Sequence, residues 1–290
     1  MHIRFLIGCL LIAVAGMAQP PQSNPGSNHG NRFEQLGYLL QSPNEYRTAS
    51  GAPGPKYWQQ RADYDMNVEL DEANLKLTGS ETVTYFNNSP DVLTYLWLQL
   101  DGNIHDQSAD NLRNGRNRME PQMSSQALTR LEPWRNAQEQ GMGVKITKLT
   151  DAAGVELKYT INKTMMRIDL PAGLKPGQKF VFKLDWNYKI PDRMVWGSRG
   201  GFEYFPEDGN HIFTMSQFYP RLAVYSDFQG WQHTQFSGGA EFALTFGNFK
   251  VKMTVPSDFV IAATGECQNY KQLLTPAQYQ RGYRLKVEKM

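Results

Sequence analysis

The feature that most constrains this chain is a long series of short segments in which polar and apolar residues alternate. The series begins near residue 57 and continues for about two hundred residues. Because a period of two places successive side chains on opposite faces of a strand, the pattern predicts β-structure. The predicted strands span residues 63–70, 75–78, 81–86, 93–100, 145–149, 155–161, 165–170, 179–188, 212–215, 241–246, 250–255 and 259–263.

Turn residues separate these segments, as at residues 151–154 and 171–177, and Gly79 stands between two of them. Many short strands with almost no helical period predict an all-β fold, an antiparallel multi-sheet sandwich or saddle. A parallel βαβ architecture is not expected, because the crossover helices are absent.

Two regions depart from the alternation. Residues 106–140 are polar, and a loop of that length is either functional or an ordered excursion. Beyond residue 268, Thr275 to Gln278 predicts the start of a helix, and residues 283–287 predict a strand that is only beginning. A strand interrupted at Met290 predicts that this sequence is part of a longer chain.

The first 18 residues have the form of a secretory signal peptide, with a positive charge, a short apolar run and small residues before Gln19. A buried N-terminal helix is the weaker alternative, because polar, proline-containing sequence follows directly. A lipoprotein anchor at Cys9 is not expected, since too few apolar residues precede it. The predicted organisation is a signal peptide over 1–18, a leader with a short helix over 19–56, a β-domain over 57–266, and the start of a following segment over 267–290.

Charge and cysteine content exclude several classes of function. Thirty basic and 28 acidic side chains leave a net charge of +2, and no basic block predicts nucleic-acid binding. Without the signal peptide, Cys267 is the only thiol, so we expect neither an internal disulfide nor a cysteine-based zinc site. No segment of the mature chain is expected to span a membrane.

The sequence does not supply a metal or catalytic motif of its own. None of the five histidines belongs to an HExxH pattern, and a triad of His105, His211 and His233 has no support from spacing. The glycine-rich run 197–201 predicts a tight turn rather than a phosphate site. Acidic residues within 203–208 suit either ligand contact or a solvated turn. We therefore expect no catalytic and no metal-binding residue in this chain.

One ordered series of motifs carries a resemblance to a known family. Residues 213–227, FTMSQFYPRLAVYSD, resemble the strand and turn by which the N-terminal domain of aminopeptidase N enzymes (peptidase family M1, gluzincin zinc metallopeptidases) closes onto the active site. GAEF at 239–242, FGNF at 246–249 and PSDFVIAATGE at 256–266 follow in the family's order. The entry at 57–64, YWQQRADY, resembles that of secreted Bacteroidetes members.

The resemblance implies a substrate-gating domain that packs on a separate catalytic domain. In this family the N-terminal domain holds no zinc, and it binds the peptide's free amino terminus through a Gln and, after one intervening residue, a Glu or Gln. The matching positions here are Gln217 and Tyr219, and Tyr219 departs from the pattern by lacking a carboxylate. The zinc domain is expected beyond Met290, so the resemblance implies an exported zinc metallo-aminopeptidase whose present portion is inactive alone and holds no cofactor.

A second hypothesis comes from a different class of protein. A free-standing secreted β-sandwich that binds a glycan or a protein would also use aromatic-rich segments such as 196–205 and 228–236. The sequence past codon 290 separates the two hypotheses. An HExxH motif within about 150 residues, one domain length, favours the peptidase, and a stop codon favours the binding module.

Overall fold

The computed structural model describes residues 43–109, 122, 124, 125, 141–238 and 243–287, the last six by their backbone alone. The predicted signal peptide, Cys9, the predicted helix of the leader and most of the 106–140 region lie outside the described residues. The chain divides after Thr254 into two compact units. The domain boundaries expected at residues 57 and 266 stay predictions.

The described part of the first unit consists mainly of strands. In chain order its elements are β1 (Arg61–Asp71), β2 (Lys76–Phe86), β3 (Leu93–Gln99), a 3-10 helix (Asp101–His105), β4 (Lys145–Asp151), β5 (Tyr159–Asn162), β6 (Met165–Leu174), β7 (Lys179–Lys189), α1 (Arg193–Trp196), β8 (Gly201–Phe205), β9 (Asn210–Thr214), β10 (Arg221–Leu222), β11 (Tyr225–Ser226), β12 (Gly230–Trp231) and β13 (Phe249–Thr254).

These strands form two larger sheets and two small ones. The five-stranded sheet has the order β13-β1-β2-β7-β4, and the four-stranded sheet has the order β10-β3-β6-β5. β8 pairs with β9, and β11 pairs with β12. The ladders are antiparallel except for the parallel pairing of β13 with β1. The prediction of an all-β fold with several antiparallel sheets is confirmed.

The alternation in the sequence places one face of each main strand in a common core. On β1, Ala62, Tyr64, Met66 and Val68 are buried, whereas the residues between them are partly or fully exposed. Both larger sheets contribute to one hydrophobic cluster. Its largest fully buried side chains are Trp186, Tyr85, Phe182, Met66, Leu96, Leu98, Leu100, Met165, Met166, Ile168, Leu184 and Ile190.

Gly79 does not separate two strands as the sequence predicted, because β2 runs through it without a break. A Cβ atom built on Gly79 would lie 2.2 Å from Cζ2 of Trp186 on the neighbouring strand β7. The missing side chain therefore makes room for the Trp186 ring, which is fully buried. This glycine marks a packing position inside a strand rather than a turn.

Two segments predicted as turn and strand differ in the structure. The predicted turn at residues 171–177 begins inside β6, where the register against β3 shifts between Leu93 and Tyr95. A bulge of this kind tolerates Pro171, because its missing N–H is not needed in the ladder. Residues 259–263 are not a strand in the structure, and Val260 is 96% exposed. Alternation alone does not make a strand where no neighbouring strand supplies ladder hydrogen bonds.

Two further predicted strands are shorter than the sequence suggested. Of residues 155–161 only the end lies in β5, since residues 155–158 form no more than a single bridge at Glu156 directly after a turn. Of residues 241–246 the described part, 243–246, forms only an isolated bridge at Phe246 with Arg61. Turn residues and the lack of a continuous partner strand account for both differences.

The second unit, from Val255, contains α2 (Tyr270–Leu273) and α3 (Pro276–Val287). The predicted helix start is confirmed, because Thr275 and Gln278 bond reciprocally at the start of α3. The strand predicted at residues 283–287 is wrong, since these residues continue that capped helix. None of the helices in the described part of the chain is long and apolar enough to cross a membrane.

The contact between Gly79 and Trp186 generates a stability prediction. Gly79→Ala should lower the free energy of unfolding by about 2–3 kcal/mol, because the added methyl group overlaps a fully buried ring. Urea denaturation measures this change. Trp186→Phe in the same background should recover part of the loss by shrinking the ring. Ser80→Ala, one residue away on the other face of β2, is the control. Equal stabilities of Gly79→Ala and the wild type would contradict the packing described.

Candidate functional site

The two residues predicted to bind substrate lie on the loop between β9 and β10. Gln217 has a φ of 54°, in the left-handed region that side chains other than glycine seldom adopt. Its side chain is partly exposed and has no hydrogen-bond partner among the described residues. An unusual backbone conformation that presents a free amide is typical of positions that contact a ligand.

Tyr219 lies on the same loop but packs inward. Its ring meets those of Tyr64 and Phe249 edge-on, with centroid distances of 5.6 and 6.2 Å, and lies 5.2 Å from the ring of Phe218. Partial burial raises the pKa of the Tyr219 phenol, which therefore stays neutral at physiological pH. Tyr219 thus offers a neutral hydroxyl held by aromatic contacts.

A buried ion pair fixes the chain directly after this loop. The guanidinium of Arg221, the first residue of β10, contacts the carboxylate of Asp101 at the start of the 3-10 helix. Their side chains are 6% and 1% exposed. Burial raises the pKa of Asp101 to about 6, and the positive charge of Arg221 opposes that rise. The pair joins the loop to the end of β3, beside which β10 lies.

Tyr64 adds a second connection, from the five-stranded sheet. Its hydroxyl accepts a hydrogen bond of 2.9 Å from the backbone N–H of Leu222 on β10. Burial raises the pKa of Tyr64 well above its usual value, so the phenol remains protonated. One hydrogen bond therefore links β1 in one sheet to β10 in the other.

Glu81 is the member of this cluster that sequence reasoning missed. It is 3% exposed, and neither of its carboxylate oxygens has a hydrogen-bond partner among the described residues. Burial raises its pKa well above the usual 4.5. Once it is ionised, Glu81 adds to the rise in the pKa values of Tyr64 and Tyr219, the two tyrosines that pack at the loop. The sequence did indicate that Glu81 is buried, because the two-residue alternation of β2 places it on the inward face with Val83 and Tyr85.

The structure holds the three candidate histidines in different surroundings. The His105 ring meets Trp196 edge-on at 5.0 Å, and burial lowers its pKa to about 4. His211 Nδ1 lies 3.1 Å from Glu72 Oε1, and His233 Nδ1 lies 2.8 Å from the carbonyl oxygen of Trp231. Within residues 43–109, 122, 124, 125, 141–238 and 243–281, no three His, Cys, Asp or Glu side chains are grouped so as to hold a metal ion. The resemblance assigns the zinc ion to a separate catalytic domain, so these residues are not its expected ligands.

The acidic run 203–208 has an ordinary structural explanation. Glu203 lies on β8, and its carboxylate is 3.6 Å from the guanidinium of Arg193. Glu207 and Asp208 are exposed in the turn that joins β8 to β9. The interpretation of this run as a solvated turn suits these positions.

Gly200, directly before β8, lies close to the loop that carries Gln217. A Cβ atom on Gly200 would lie 2.7 Å from the hydroxyl oxygen of Ser216, the residue before Gln217. The loop is thus confined by Gly200 on one side and by Arg221 on the other. The fold and this site define an all-β multi-sheet domain with a loop that is fixed at its end by a buried ion pair.

Comparison with known proteins gives distant structural likenesses. No family model matches the chain, and no curated protein matches it. The chain is similar to an M1 zinc metallopeptidase from Deinococcus radiodurans, at 13% identity and a TM-score of 0.35, over 72% of this chain and 37% of that one. It is also similar to a mutant of an M1 zinc metallopeptidase from the same organism bound to a Tyr-Ser-Ala substrate, at 13% identity and a TM-score of 0.34, over 75% and 39%.

A third similar structure is a two-domain M1 zinc metallopeptidase mutant bound to L-tryptophan, with 13% identity, a TM-score of 0.34 and the same coverage of 75% and 39%. The chain therefore spans well under half of the length of the solved structures it matches. At TM-scores this low, the likenesses do not by themselves assign a function to the chain.

The buried carboxyl of Glu81 generates a prediction about pH. A raised pKa in the folded state means that folding favours the neutral form, so this stabilisation is complete below the ordinary pKa of 4.5 and is lost as the pH rises toward the folded value. Glu81→Gln should remove this loss. Between pH 5 and pH 8, the free energy of unfolding of the wild type should fall relative to that of the variant, by up to about 1.4 kcal/mol per pH unit.

Denaturant unfolding at several pH values measures the difference between the two proteins. Asp101 changes stability in the same direction, but it is present in both and cancels in the comparison. Glu69→Gln, on the exposed face of β1, is the matched control and should leave the profile nearly unchanged. Parallel profiles for the wild type and Glu81→Gln would contradict the assignment of Glu81 as a carboxyl held neutral by burial.

Proposed function

We propose that this chain is the N-terminal, substrate-gating domain of an exported zinc metallo-aminopeptidase and that Gln217 and Tyr219 bind the substrate's free amino terminus. The observation that carries the proposal is the backbone conformation of Gln217 and the availability of its side-chain amide. Its backbone has a φ of 54°, and its amide has no partner among the described residues. The run FTMSQFYPR around it, with the ordered motifs that follow, supplies the family resemblance.

The chemistry of the two side chains suits a protonated amine. An ammonium group has three N–H donors and needs acceptors, and the carbonyl oxygen of a Gln amide and the oxygen of a phenol both accept. A carboxylate at the second position would add a charge-assisted bond, which Tyr219 does not provide. We therefore expect weaker selection for a free amino terminus than a Gln–Glu pair would give.

Rigid support for the loop favours this role. Arg221 is held by Asp101, Leu222 is held by the hydroxyl of Tyr64, and Tyr219 packs on aromatic rings. A binding group held in place before the ligand arrives loses less conformational entropy on binding than a mobile one. The anchored loop would thus fix where a peptide begins relative to a catalytic centre.

The reaction itself would belong to another part of the protein. The proposal places the HExxH zinc site in a catalytic domain encoded beyond codon 290, against which this domain would pack. The zinc ion would supply the Lewis acid and the activated water for peptide hydrolysis. The present residues would bind and position the substrate, and the predicted signal peptide would direct export.

The proposal is tested by the full-length gene product, obtained by reading the gene past codon 290. We expect an HExxH motif within about 150 residues and hydrolysis of aminoacyl-anilides by the full-length protein. In that protein Gln217→Ala should raise KM about tenfold and change kcat less, because an amide that binds the amino terminus is lost. Tyr219→Glu should lower KM by adding a carboxylate.

Gln229→Ala is the matched control, since Gln229 is exposed in the same unit and lies outside the loop. It should leave both kinetic parameters unchanged. A stop codon directly after codon 290, or a full-length protein whose KM is indifferent to Gln217→Ala, would count against the proposal. Hydrolysis of aminoacyl-anilides by the present chain alone would contradict the assignment of catalysis to a further domain.

A further inference from the structure

A cleft of ≈ 290 Å³ lies in the first unit, away from the loop that carries Gln217. Its walls come from three stretches of chain, residues 57–60 ahead of β1, residues 224–228 around β11 and residues 243–246 ahead of β13, together with Arg47 and Gln232. Small-ligand sites in proteins have volumes from about 300 Å³ upward, so this cleft suits one small ring.

Aromatic side chains form flat surfaces in this cleft. Trp58 stacks on Tyr225, with ring centroids 5.7 Å apart and planes inclined by 25°. The Tyr225 hydroxyl donates a 2.8 Å hydrogen bond to Asp91, which fixes the ring from outside the cleft. Phe246 also lines the cleft and is 74% exposed, so a large aromatic face is open to a ligand.

The two charged lining residues neutralise each other. Arg47 donates from Nε and Nη2 to the two carboxylate oxygens of Asp227, at 2.7 and 2.9 Å. The guanidinium also lies over the rings of Tyr57 and Phe228, at 5.1 and 5.0 Å from their centroids. Because this bidentate pair already satisfies both charges, the cleft has no charge left for an ionic ligand.

The remaining polar groups of the cleft are neutral donors and acceptors. They are the side chains of Gln59, Gln60, Ser226, Gln232 and Thr245. Gln60 already bonds to Asn87 and to the backbone N–H of Asn88, and Thr245 donates to the carbonyl oxygen of Ala223, so the groups that face a ligand are those of Gln59, Ser226 and Gln232. In addition, the indole N–H of Trp58 is shielded from solvent and has no hydrogen-bond partner among the described residues.

We propose that this cleft binds a neutral saccharide through a single pyranose ring. A pyranose has an apolar C–H face that packs on aromatic rings and an edge of hydroxyl groups that pair with amides, and the cleft offers both surfaces side by side. A purely apolar ligand would leave the amide of Gln232 unpaired, and a charged ligand would find no counter-ion. The site is independent of the proposed peptidase function, because none of its lining residues belongs to the Gln217 loop.

The test is a titration of the chain with neutral sugars, in which NMR and calorimetry measure binding. The probes are glucose, galactose, mannose, N-acetylglucosamine, cellobiose and chitobiose, with glucuronic acid as the charged comparison and a proline-rich peptide as the alternative occupant of an aromatic groove. We expect saturable binding of at least one neutral sugar, with a Kd of about 1 mM, the range for a few weak contacts. Glucuronic acid should bind no better than the corresponding neutral sugar.

Phe246→Ala should weaken that binding about fivefold, because an exposed stacking surface is removed. Phe205→Ala is the matched control, since Phe205 is an exposed phenylalanine on β8 that does not line the cleft, and it should leave the Kd unchanged. Thermal unfolding confirms that both variants fold. The proposal is overturned if no neutral sugar binds at tens of millimolar, if Phe205→Ala weakens binding as much as Phe246→Ala, or if the peptide binds in the cleft and the sugars do not.

Discussion

The contact between Arg221 and Asp101 is the interaction on which the candidate site depends. Both side chains are almost fully buried, and they join the start of β10 to the end of β3 just after the loop that carries Gln217 and Tyr219. Loss of one partner from a buried pair leaves an uncompensated charge and costs about 3–5 kcal/mol. Together with the bond from Leu222 to Tyr64 and the ring contacts of Tyr219, this pair surrounds the unusual backbone of Gln217 with fixed groups.

Around that pair the molecule concentrates polar groups where a β-sandwich is usually apolar. Tyr64 connects the two sheets through Leu222, and Glu81 lies close by as a carboxyl without a partner among the described residues. Such a cluster stabilises the fold less than apolar packing would. Under the proposed function, the amide of Gln217 and the phenol of Tyr219 would accept hydrogen bonds from an amine.

The sequence predicted the part of this fold that depends on local pattern. Period-two alternation identified β1 and β7, and Thr275 with Gln278 identified the start of α3, because the information lies within a few residues. Gly79 was wrongly predicted as a break between strands. A glycine is needed there because of the ring of Trp186, about a hundred positions away. The sequence also could not predict the Arg221–Asp101 pair or the left-handed backbone at Gln217, because both depend on packing between residues far apart in the chain. The resemblance gave the positions of Gln217 and Tyr219, and the structure added what surrounds them.

The most direct test of the account is whether Gln217 responds to a free amino terminus. The side-chain amide signal of Gln217 is followed by NMR while the chain is titrated with the tripeptide Leu-Gly-Gly and, separately, with its N-acetylated form. We expect a saturable shift of that signal with the free peptide and none with the acetylated one, because acetylation removes the ammonium donors. Equal shifts with both peptides, or a Gln217 signal that does not move with either, would contradict it.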